Sequence, residues 1–367
     1  MKNTKLNYQI ALNQLKGIGP IKARFLLSKI ENIESLFHDS FASLAIQTGI
    51  PVSFLKQMNR EKAIDEAQKH VFYIEKQEIR THFYLESSYP QRLKQCADAP
   101  LLLFSKGIMP SNSERVVAIV GTRKATEYGK SVCEEMIKGF VGKSIVVVSG
   151  LAYGIDICIH QLCLKYNIPT IGVLGHGLDR MYPVEHTSTA NKMLENGGLL
   201  TEFLSGTIPD RENFPMRNRI VAGMSDATIV IESKESGGSL ITAELANDYS
   251  RDVFAVPGNV GQVYSKGCNL LISKQKAHLI TGSADFLKWM QWDEEKKIQP
   301  VQTVLFTDFT EEEIGVISIL QVEGEISIDS LAIKAKTPVS KVSVILFNLE
   351  MSGAVKMLPG KKYRLVL

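Results

Sequence analysis

The sequence predicts an α/β protein whose centre is a doubly wound, mainly parallel β-sheet, with a helical domain before it and a winged helix after it. Between residues 116 and 282, seven runs rich in Val, Ile and Leu alternate with helix-compatible stretches of roughly 10 to 15 residues. Continuous apolar strands that alternate with helices are typical of a parallel sheet covered by helices on both faces. Residues 8–80 show the apolar spacing that is typical of helices. The pattern in residues 303–367 predicts three amphipathic helices followed by two short strands.

Length and composition indicate how many domains the chain forms. At about 150 residues per domain, 367 residues predict two or three domains. With 44% hydrophobic and 22% charged residues, the composition excludes a disordered chain. We place a helical domain at residues 1–80, the α/β domain at 81–292, a charged, Pro-containing linker at 293–302 and the winged helix at 303–367.

The net charge of +3 predicts no class of partner by itself. Residues 1–80 contain 12 basic and 8 acidic side chains, residues 81–302 contain 23 of each, and residues 303–367 contain 7 basic and 8 acidic side chains. The winged helix therefore lacks the basic charge typical of a domain that binds duplex DNA, which favours a protein partner for it.

Cysteine usage and hydropathy predict a cytoplasmic protein without a membrane span. No CxxC pair or Cys/His ligand spacing occurs, so we expect reduced thiols and neither a metal site nor a cofactor. No segment approaches 18 uninterrupted apolar residues, and the N-terminus lacks the apolar core of a signal peptide. The cysteines are Cys96, Cys133, Cys158, Cys163 and Cys268.

The first candidate binding motif is the turn Gly121-Thr122-Arg123, which follows the strand VVAIV and precedes a helix beginning near Glu127. Ligands of open α/β sheets bind beyond the carboxyl ends of the strands, where helix N-termini present free N–H groups to anions. Gly121 lets a phosphate approach the backbone, and Thr122 and Arg123 supply donors. A tight turn with a solvated arginine explains the same residues equally well.

Ser149 and Gly150 form a second glycine-containing turn at the same predicted edge. Neither a P-loop nor a GxGxxG fingerprint is present, so the pattern indicates phosphate affinity without a defined nucleotide. Asp156 and His160 lie four residues apart on the helix that follows, and we expect a structural hydrogen bond there rather than catalysis.

The segment from Arg211 to Ser225 combines arginines with an aromatic residue at the start of a helix. Guanidinium groups neutralise phosphates and an aromatic ring stacks on an unpaired base, which favours single-stranded nucleic acid over a duplex groove. A packing role for the ring and a bracing role for the polar side chains are equally compatible with the pattern. The candidate residues are Arg211, Phe214, Arg217, Asn218 and Arg219.

A third glycine-rich turn, Gly237-Gly238-Ser239, opens a helix after the strand DATIVIES. Its N–H groups can hold an anion, so Gly238 and Ser239 join the candidate site. Glu244, one turn further, is able to cap, pair with a basic residue or act as a general base, and a structural or pairing role is the safer expectation.

Seven motifs in one order make residues 85–290 similar to the DprA/Smf family of bacterial DNA-processing proteins. They are YPQRL, VAIVGTRKAT, VSGLAYGIDICIH, GVLGHGLDRMYP, NFPMRNRIVAGMS, ESGGSLITAEL and VPGNVGQVYSKGCNLLI. The resemblance implies an extended Rossmann-like domain that binds single-stranded DNA, protects incoming strands during natural transformation and loads the RecA recombinase. It also implies a homodimer and no catalytic turnover.

The resemblance implies that DNA phosphates contact Gly121, Thr122, Arg123 and Arg211, and that a base stacks on Phe214. Many relatives have Arg where Tyr153 stands, so a charge contact there is absent or replaced by an aromatic surface. Ile159 replaces a smaller residue, which concerns packing. The segment LKGIGPIKARFLL is similar to a helix-hairpin-helix turn, and the head resembles a SAM or helix-hairpin-helix domain.

Two other classes of function stay open. The run GGSLITAE is similar to the PGGxGTxxE loop of Rossmann enzymes that hydrolyse nucleoside monophosphates, although the Pro and the Gly-Thr core of that loop are missing here. A regulator that binds duplex DNA through the winged helix is the third possibility. In the leading interpretation, Arg123, Arg211, Arg217 and Arg219 converge at one edge of the sheet.

Overall fold

The computed structural model describes residues 4–293, 309–352, 354–358 and 361–365. The chain divides into two compact units, one ending at Asp293 and one after it. Most of the predicted linker and the turn at Pro359-Gly360 lie outside the described residues. The domain boundaries drawn from the sequence therefore stay predictions.

The first unit begins with six helices around an apolar core. This core extends to Phe83 in the edge strand of the sheet and to Phe104 in the strand next to it, so the helices pack directly on that edge. Ser40 caps the fourth helix by accepting a hydrogen bond from the Ser43 N–H, and Gly49 ends it with a φ of 72°. The helices are α1 (Thr4–Gln14), α2 (Pro20–Leu27), α3 (Ser35–His38), α4 (Phe41–Thr48), α5 (Val52–Leu55) and α6 (Arg60–Lys76).

A nine-stranded sheet forms the centre of the first unit, in the order β1-β2-β6-β5-β4-β3-β7-β8-β9. All neighbours from β6 to β9 along this order are parallel, whereas β2 is antiparallel to both β1 and β6. The strands are β1 (Arg80–Phe83), β2 (Leu102–Gly107), β3 (Arg115–Val120), β4 (Ile145–Ser149), β5 (Thr170–Val173), β6 (Gly197–Thr201), β7 (Ala227–Val230), β8 (Asp252–Ala255) and β9 (His278–Leu279).

Helices cover both faces of this sheet, and the strands supply side chains to each face in alternation. In β3, Val117 and Ile119 face one apolar cluster, and Val116, Ala118 and Val120 face the other. Burial of each such Val or Ile side chain contributes about 1.5–3 kcal/mol, which is why a continuous apolar run stabilises a central strand. The helices are α7 (Gln91–Lys94), α8 (Glu127–Gly139), α9 (Ile155–Lys165), α10 (Thr187–Met193), α11 (Asn213–Gly223), α12 (Gly238–Asp248), α13 (Lys266–Ser273) and α14 (Ser283–Trp289).

The chain reverses its direction of winding at β3. From β3 it builds outward through β4, β5 and β6, then returns to place β7, β8 and β9 on the other side of β3. The helices that follow β3 and β7 therefore lie on opposite faces of the sheet. The space between the two turns is the topological switch point at which open α/β sheets bind ligands.

The second unit is a winged helix. Its three helices enclose an apolar core, and a sheet of order β10-β12-β11 lies beside them. A capping box, in which Thr310 and Glu313 each bond the other's backbone N–H, starts the first helix. The elements are α15 (Glu311–Glu323), β10 (Glu325–Ser327), α16 (Ile328–Lys334), α17 (Val339–Met351), β11 (Val355–Leu358) and β12 (Lys362–Leu365).

The structure confirms the predicted fold class. Each of the seven predicted strands occurs, as β3 to β9, and the three C-terminal helices and the two strands after them occur as predicted. The sequence pattern did not predict the strands β1, β2 and β10. Within the described ranges, no helix is both long and apolar enough to cross a membrane.

Candidate nucleic-acid interface

A cleft of about 530 Å³ opens at the switch point, beyond the carboxyl ends of β3 and β4 and beside the first turns of α11 and α12. It brings together most of the residues that the sequence placed in the candidate site. Those that line it are Gly121, Thr122, Arg123, Gly150, Arg211, Phe214, Arg217, Asn218, Gly238 and Ser239.

The turn after β3 is held rigidly by its neighbours. The Thr122 N–H donates to the Glu232 carbonyl at 2.8 Å, and the Thr122 carbonyl accepts from the Ile155 N–H at 3.1 Å. A Cβ atom at Gly121 would lie 2.5 Å from the Ile155 side chain, so only glycine fits there. The buried Glu232 carboxylate also accepts from the Thr126 N–H at 2.9 Å, which ties the start of α8 to the end of β7. These contacts leave the next residue, Arg123, projecting from a fixed backbone.

Arg123 lies against an aromatic ring. Its guanidinium is 5.2 Å from the centre of the Phe214 ring, and both residues line the cleft. Phe214 is half-buried and packs against the backbone of Gly175, where a Cβ atom would lie 3.1 Å from the ring. Arg211, three residues before Phe214, is exposed. A cationic group therefore lies over a half-buried aromatic ring at the rim of the cleft.

Arg217 lines the same cleft but is 4% exposed. Its guanidinium donates to the Gly150 carbonyl, and to the Val173 carbonyl at 2.7 Å, so it joins the ends of β4 and β5. A Cβ atom on Gly150 would overlap this guanidinium, which explains the glycine. Burial lowers the pKa of Arg217, and the nearby Asp156 carboxylate opposes that shift. This geometry fits the bracing role that the sequence left open for the segment.

The structure corrects the expected positions of two candidates. Ser149 is fully buried, and its hydroxyl donates to the Ile119 carbonyl at 2.6 Å, so its side chain faces the sheet and not the cleft. Arg219 lies outside the cleft lining: it pairs with the buried Glu202 carboxylate and donates to the Asp98 carbonyl at 2.5 Å. The expectation that Arg219 converges with the other arginines at this edge is wrong.

Asp156 and His160 do not bond to each other as expected. Asp156 accepts a long bond of 3.4 Å from the Ala152 N–H, and burial raises the pKa of its carboxyl while the Arg217 charge opposes this. His160 instead bonds the Thr170 hydroxyl at 2.7 Å. Both residues have structural partners, although not the ones predicted.

The start of α12 forms the opposite wall of the cleft. Gly238 is exposed there, whereas Ser239 is buried and its hydroxyl donates to the Ser233 hydroxyl at 2.9 Å. Ser239 therefore contributes backbone rather than its side chain. The exposed Lys234, which the sequence reasoning missed, also lines this wall. Its position a few residues past the end of β7 was the available signal, because the carboxyl ends of neighbouring parallel strands share one edge.

The lining is strongly positive although the α/β segment is neutral in total. Among the described residues that line the cleft, Arg123, Arg211, Arg217 and Lys234 are basic and Asp156 alone is acidic. The N-termini of α11 and α12 add their partial positive charge at the same place. This arrangement suits a polyanion. No group of three or more His, Cys, Asp or Glu side chains suited to holding a metal ion occurs in the part of the chain that the structure describes.

Comparison with protein families decides the relationship. The family model for DNA recombination-mediator protein A matches residues 80–291, and the model for the DprA winged helix domain matches residues 309–361. The chain belongs to the DprA/Smf family. The resemblance inferred from the seven motifs is confirmed, and the family places the chain among DNA-processing proteins.

Several relatives are similar over much of their length. The DNA processing protein DprA of Bacillus subtilis is 42% identical over 213 residues, which are 58% of this chain and 71% of the relative. The X-ray structure of DprA from Streptococcus pneumoniae is 34% identical with a TM-score of 0.67, covering 78% of this chain and 98% of that one. DNA processing protein A of Helicobacter pylori, whose structure concerns a unique single-stranded DNA binding mode, is 27% identical with a TM-score of 0.54, covering 59% of this chain and 98% of its own.

Proposed function

We propose that this chain binds single-stranded DNA in the cleft at the switch point. Arg123, Arg211 and Lys234 contact phosphates, with the N–H groups of the α12 N-terminus beside them, and one base stacks on Phe214. The contact between the Arg123 guanidinium and the Phe214 ring is the observation that carries the proposal, because it sets a phosphate-binding group next to a base-stacking surface.

The aromatic ring favours a single strand over a duplex. In a duplex each base is stacked between its neighbours, so its flat face is not accessible to a protein side chain. Phe214 sits in the wall of a cleft rather than on a projecting helix, and a flexible strand can follow such a wall. The Helicobacter pylori relative, studied for its binding of single-stranded DNA, supports the same conclusion.

The winged helix offers less to a duplex. Two of its lysines are engaged in ion pairs, Lys334 with Glu323 at 2.5 Å and Lys341 with Glu312. The exposed side chains of α17 include the apolar Val344, Phe347 and Met351. We therefore assign DNA binding to the cleft.

Hydrolysis of nucleoside monophosphates is the alternative from the enzyme class. It would need Glu244 near the bound phosphate, but Glu244 is an exposed side chain that pairs with Lys276 at 3.2 Å and does not line the cleft. Incubation with nucleoside monophosphates is the direct check. Release of free base that Glu244→Gln abolishes would replace our proposal with the enzymatic one.

We further propose, from the family, that the chain acts in the cytoplasm as a homodimer that protects incoming single strands and loads RecA recombinase during natural transformation. Its five cysteines form no CxxC pair, a pattern typical of proteins in a reducing compartment. With strands pre-coated by single-strand binding protein, addition of this chain should speed formation of RecA filaments, followed by RecA ATPase activity. An unchanged lag would contradict RecA loading, and a monomer in sedimentation analysis would contradict the dimer.

Arg123→Ala and Arg211→Ala should each weaken binding of oligo-dT at least about tenfold, since a hydrogen bond to a charged group contributes about 1.5–3 kcal/mol. Each should also reduce the dependence of log K on log salt by about one phosphate contact. Fluorescence anisotropy across a salt series measures both quantities. Phe214→Ala should lose about 1–3 kcal/mol of binding free energy with a largely unchanged salt slope, because stacking involves no phosphate.

Arg80→Ala is the matched control, because Arg80 is an exposed arginine in the edge strand β1, away from the cleft lining. It should bind oligo-dT as the unmodified chain does. Competition with duplex DNA should displace little of the oligo-dT. If both cleft variants kept the original affinity and salt slope, the assignment of the cleft would be overturned.

A further inference from the structure

We propose that a second base-stacking subsite lies next to Phe214 and is formed by Tyr182 and Tyr153. The proposal rests on the binding of single-stranded DNA inferred above. Tyr182 and Tyr153 keep 46% and 43% of their surface exposed, which is unusual for large aromatic side chains that border a cleft. They lie at the rim of a small pocket that shares Arg123 and Phe214 with the main cleft.

The two tyrosines continue the aromatic surface of Phe214. The centres of the Tyr182 and Phe214 rings are 6.2 Å apart and the ring planes are tilted by 37°. A strand whose base stacks on Phe214 therefore brings its next base toward Tyr182. Tyr153 lines the same pocket, so it can contact the same strand.

The Tyr153 ring and the Tyr182 backbone are held in place before any DNA arrives. The Tyr153 hydroxyl donates to the Glu185 carboxylate at 3.0 Å, and the ring packs edge-on against His186 with centres 5.0 Å apart. The Tyr182 N–H donates to His176 Nε2 at 3.2 Å, so His176 Nδ1 carries the proton that it donates to the Gly177 carbonyl at 2.9 Å. Aromatic side chains that are already ordered lose little conformational entropy on binding.

The shape and charge of the pocket select the occupant. It encloses only about 20 Å³, so a nucleobase cannot enter it and must lie across the exposed rings. The charged side chains that line it are the basic Arg123 and Arg217, with no carboxylate among the lining residues that the structure describes. Flat aromatic surfaces beside guanidinium groups favour a chain of bases and phosphates over a phosphate alone.

Binding of oligo-dT to Tyr182→Ala and Tyr153→Ala tests the subsite. Each variant should bind at least about fivefold more weakly, the lower end of one stacked base, with an unchanged salt slope. The matched controls are Tyr182→Phe and Tyr153→Phe, which keep the ring and lose the hydroxyl. Tyr182→Phe should bind within about twofold of the unmodified chain.

A second measurement changes the DNA as well as the protein. Short oligo-dT probes with a constant number of phosphates but with thymines removed one at a time report how many bases contribute to binding. Two neighbouring bases should contribute with the unmodified chain and one with Tyr182→Ala. A contribution from one base alone, or alanine variants that bind like the unmodified chain, would overturn the subsite. If Arg123→Ala and Arg211→Ala still weaken binding in that case, the proposed function stands, and if they do not, it fails as well.

Discussion

Replacing Arg219 with alanine is expected to lower the free energy of unfolding by about 3–5 kcal/mol, because it leaves a buried carboxylate without its partner. The side chains of Arg219 and Glu202 are 10% and 11% exposed and form an ion pair. Arg219 also donates to the backbone carbonyl of Asp98. The Asp98 carboxylate in turn accepts from the Tyr249 hydroxyl at 2.6 Å. Urea unfolding followed by Trp fluorescence measures the loss, since both tryptophans, Trp289 and Trp292, lie in the first unit.

The destabilisation of Arg219→Ala should shrink as the pH falls. Burial raises the pKa of the Glu202 carboxyl, and the Arg219 charge opposes that shift. Without Arg219 the pKa of Glu202 in the folded chain rises further above its value in the unfolded chain. Between these two pKa values the folded chain holds a proton that the unfolded chain has released, so the free energy of unfolding falls as the pH rises. The variant should therefore be closest to the unmodified chain in acid. Adding Glu202→Gln should recover part of the loss at neutral pH.

The same variant separates folding from DNA binding. Arg219 does not line the cleft, so folded Arg219→Ala should bind oligo-dT within about twofold of the unmodified chain, unlike Arg123→Ala. A loss below about 1 kcal/mol at neutral pH would show that the buried pair is not a stability determinant. Binding lost in proportion to that of Arg123→Ala would return Arg219 to the DNA site.

The positions of Arg217 and Arg219 could not be predicted from the sequence pattern alone. The letters RNR place two arginines two residues apart on α11, and at 3.6 residues per turn such side chains point about 200° apart. They cannot both face one cleft. Sequence spacing therefore excludes joint contact, but the choice of which arginine faces the cleft depends on the sheet that α11 packs against. The structure shows Arg217 at the ends of β4 and β5 and Arg219 beside Glu202.

The sheet was easier to predict than the site because its central strands are buried on both faces. A run such as Val116–Val120 is stable only where helices cover both of its sides, so local composition reveals its position. The missed strand β1 has the mixed sequence RTHF, and it forms because Arg80–Phe83 pairs with Leu102–Ser105. Such edge pairing depends on tertiary context, which the local pattern does not contain.

His160 should make the first unit sensitive to acid. The Thr170 hydroxyl donates its proton to the Val147 carbonyl at 3.1 Å, so His160 Nδ1 must donate to the Thr170 oxygen. His160 Nε2 is therefore unprotonated, and it is buried without a partner. Burial lowers the pKa of His160 to about 3, and the charge of Arg217 acts in the same direction. Protonation would bury an unpaired charge close to Arg217.

The sign of the pH dependence follows from this lowered pKa. Between pH 6.5 and about 3 the unfolded chain binds a proton at His160 that the folded chain does not. The stability is thus complete above the unfolded pKa and falls by about 1.4 kcal/mol per pH unit as the pH drops through this window. His160→Asn keeps an amide donor for Thr170 but cannot titrate. The unfolding of this variant should therefore take up one proton fewer, so its free energy of unfolding should change less steeply with pH than that of the unmodified chain. Urea unfolding at several pH values between about 4.5 and 7.5 gives the two slopes. Because the other histidines are present in both proteins, equal slopes would show that His160 does not remain neutral in the folded chain.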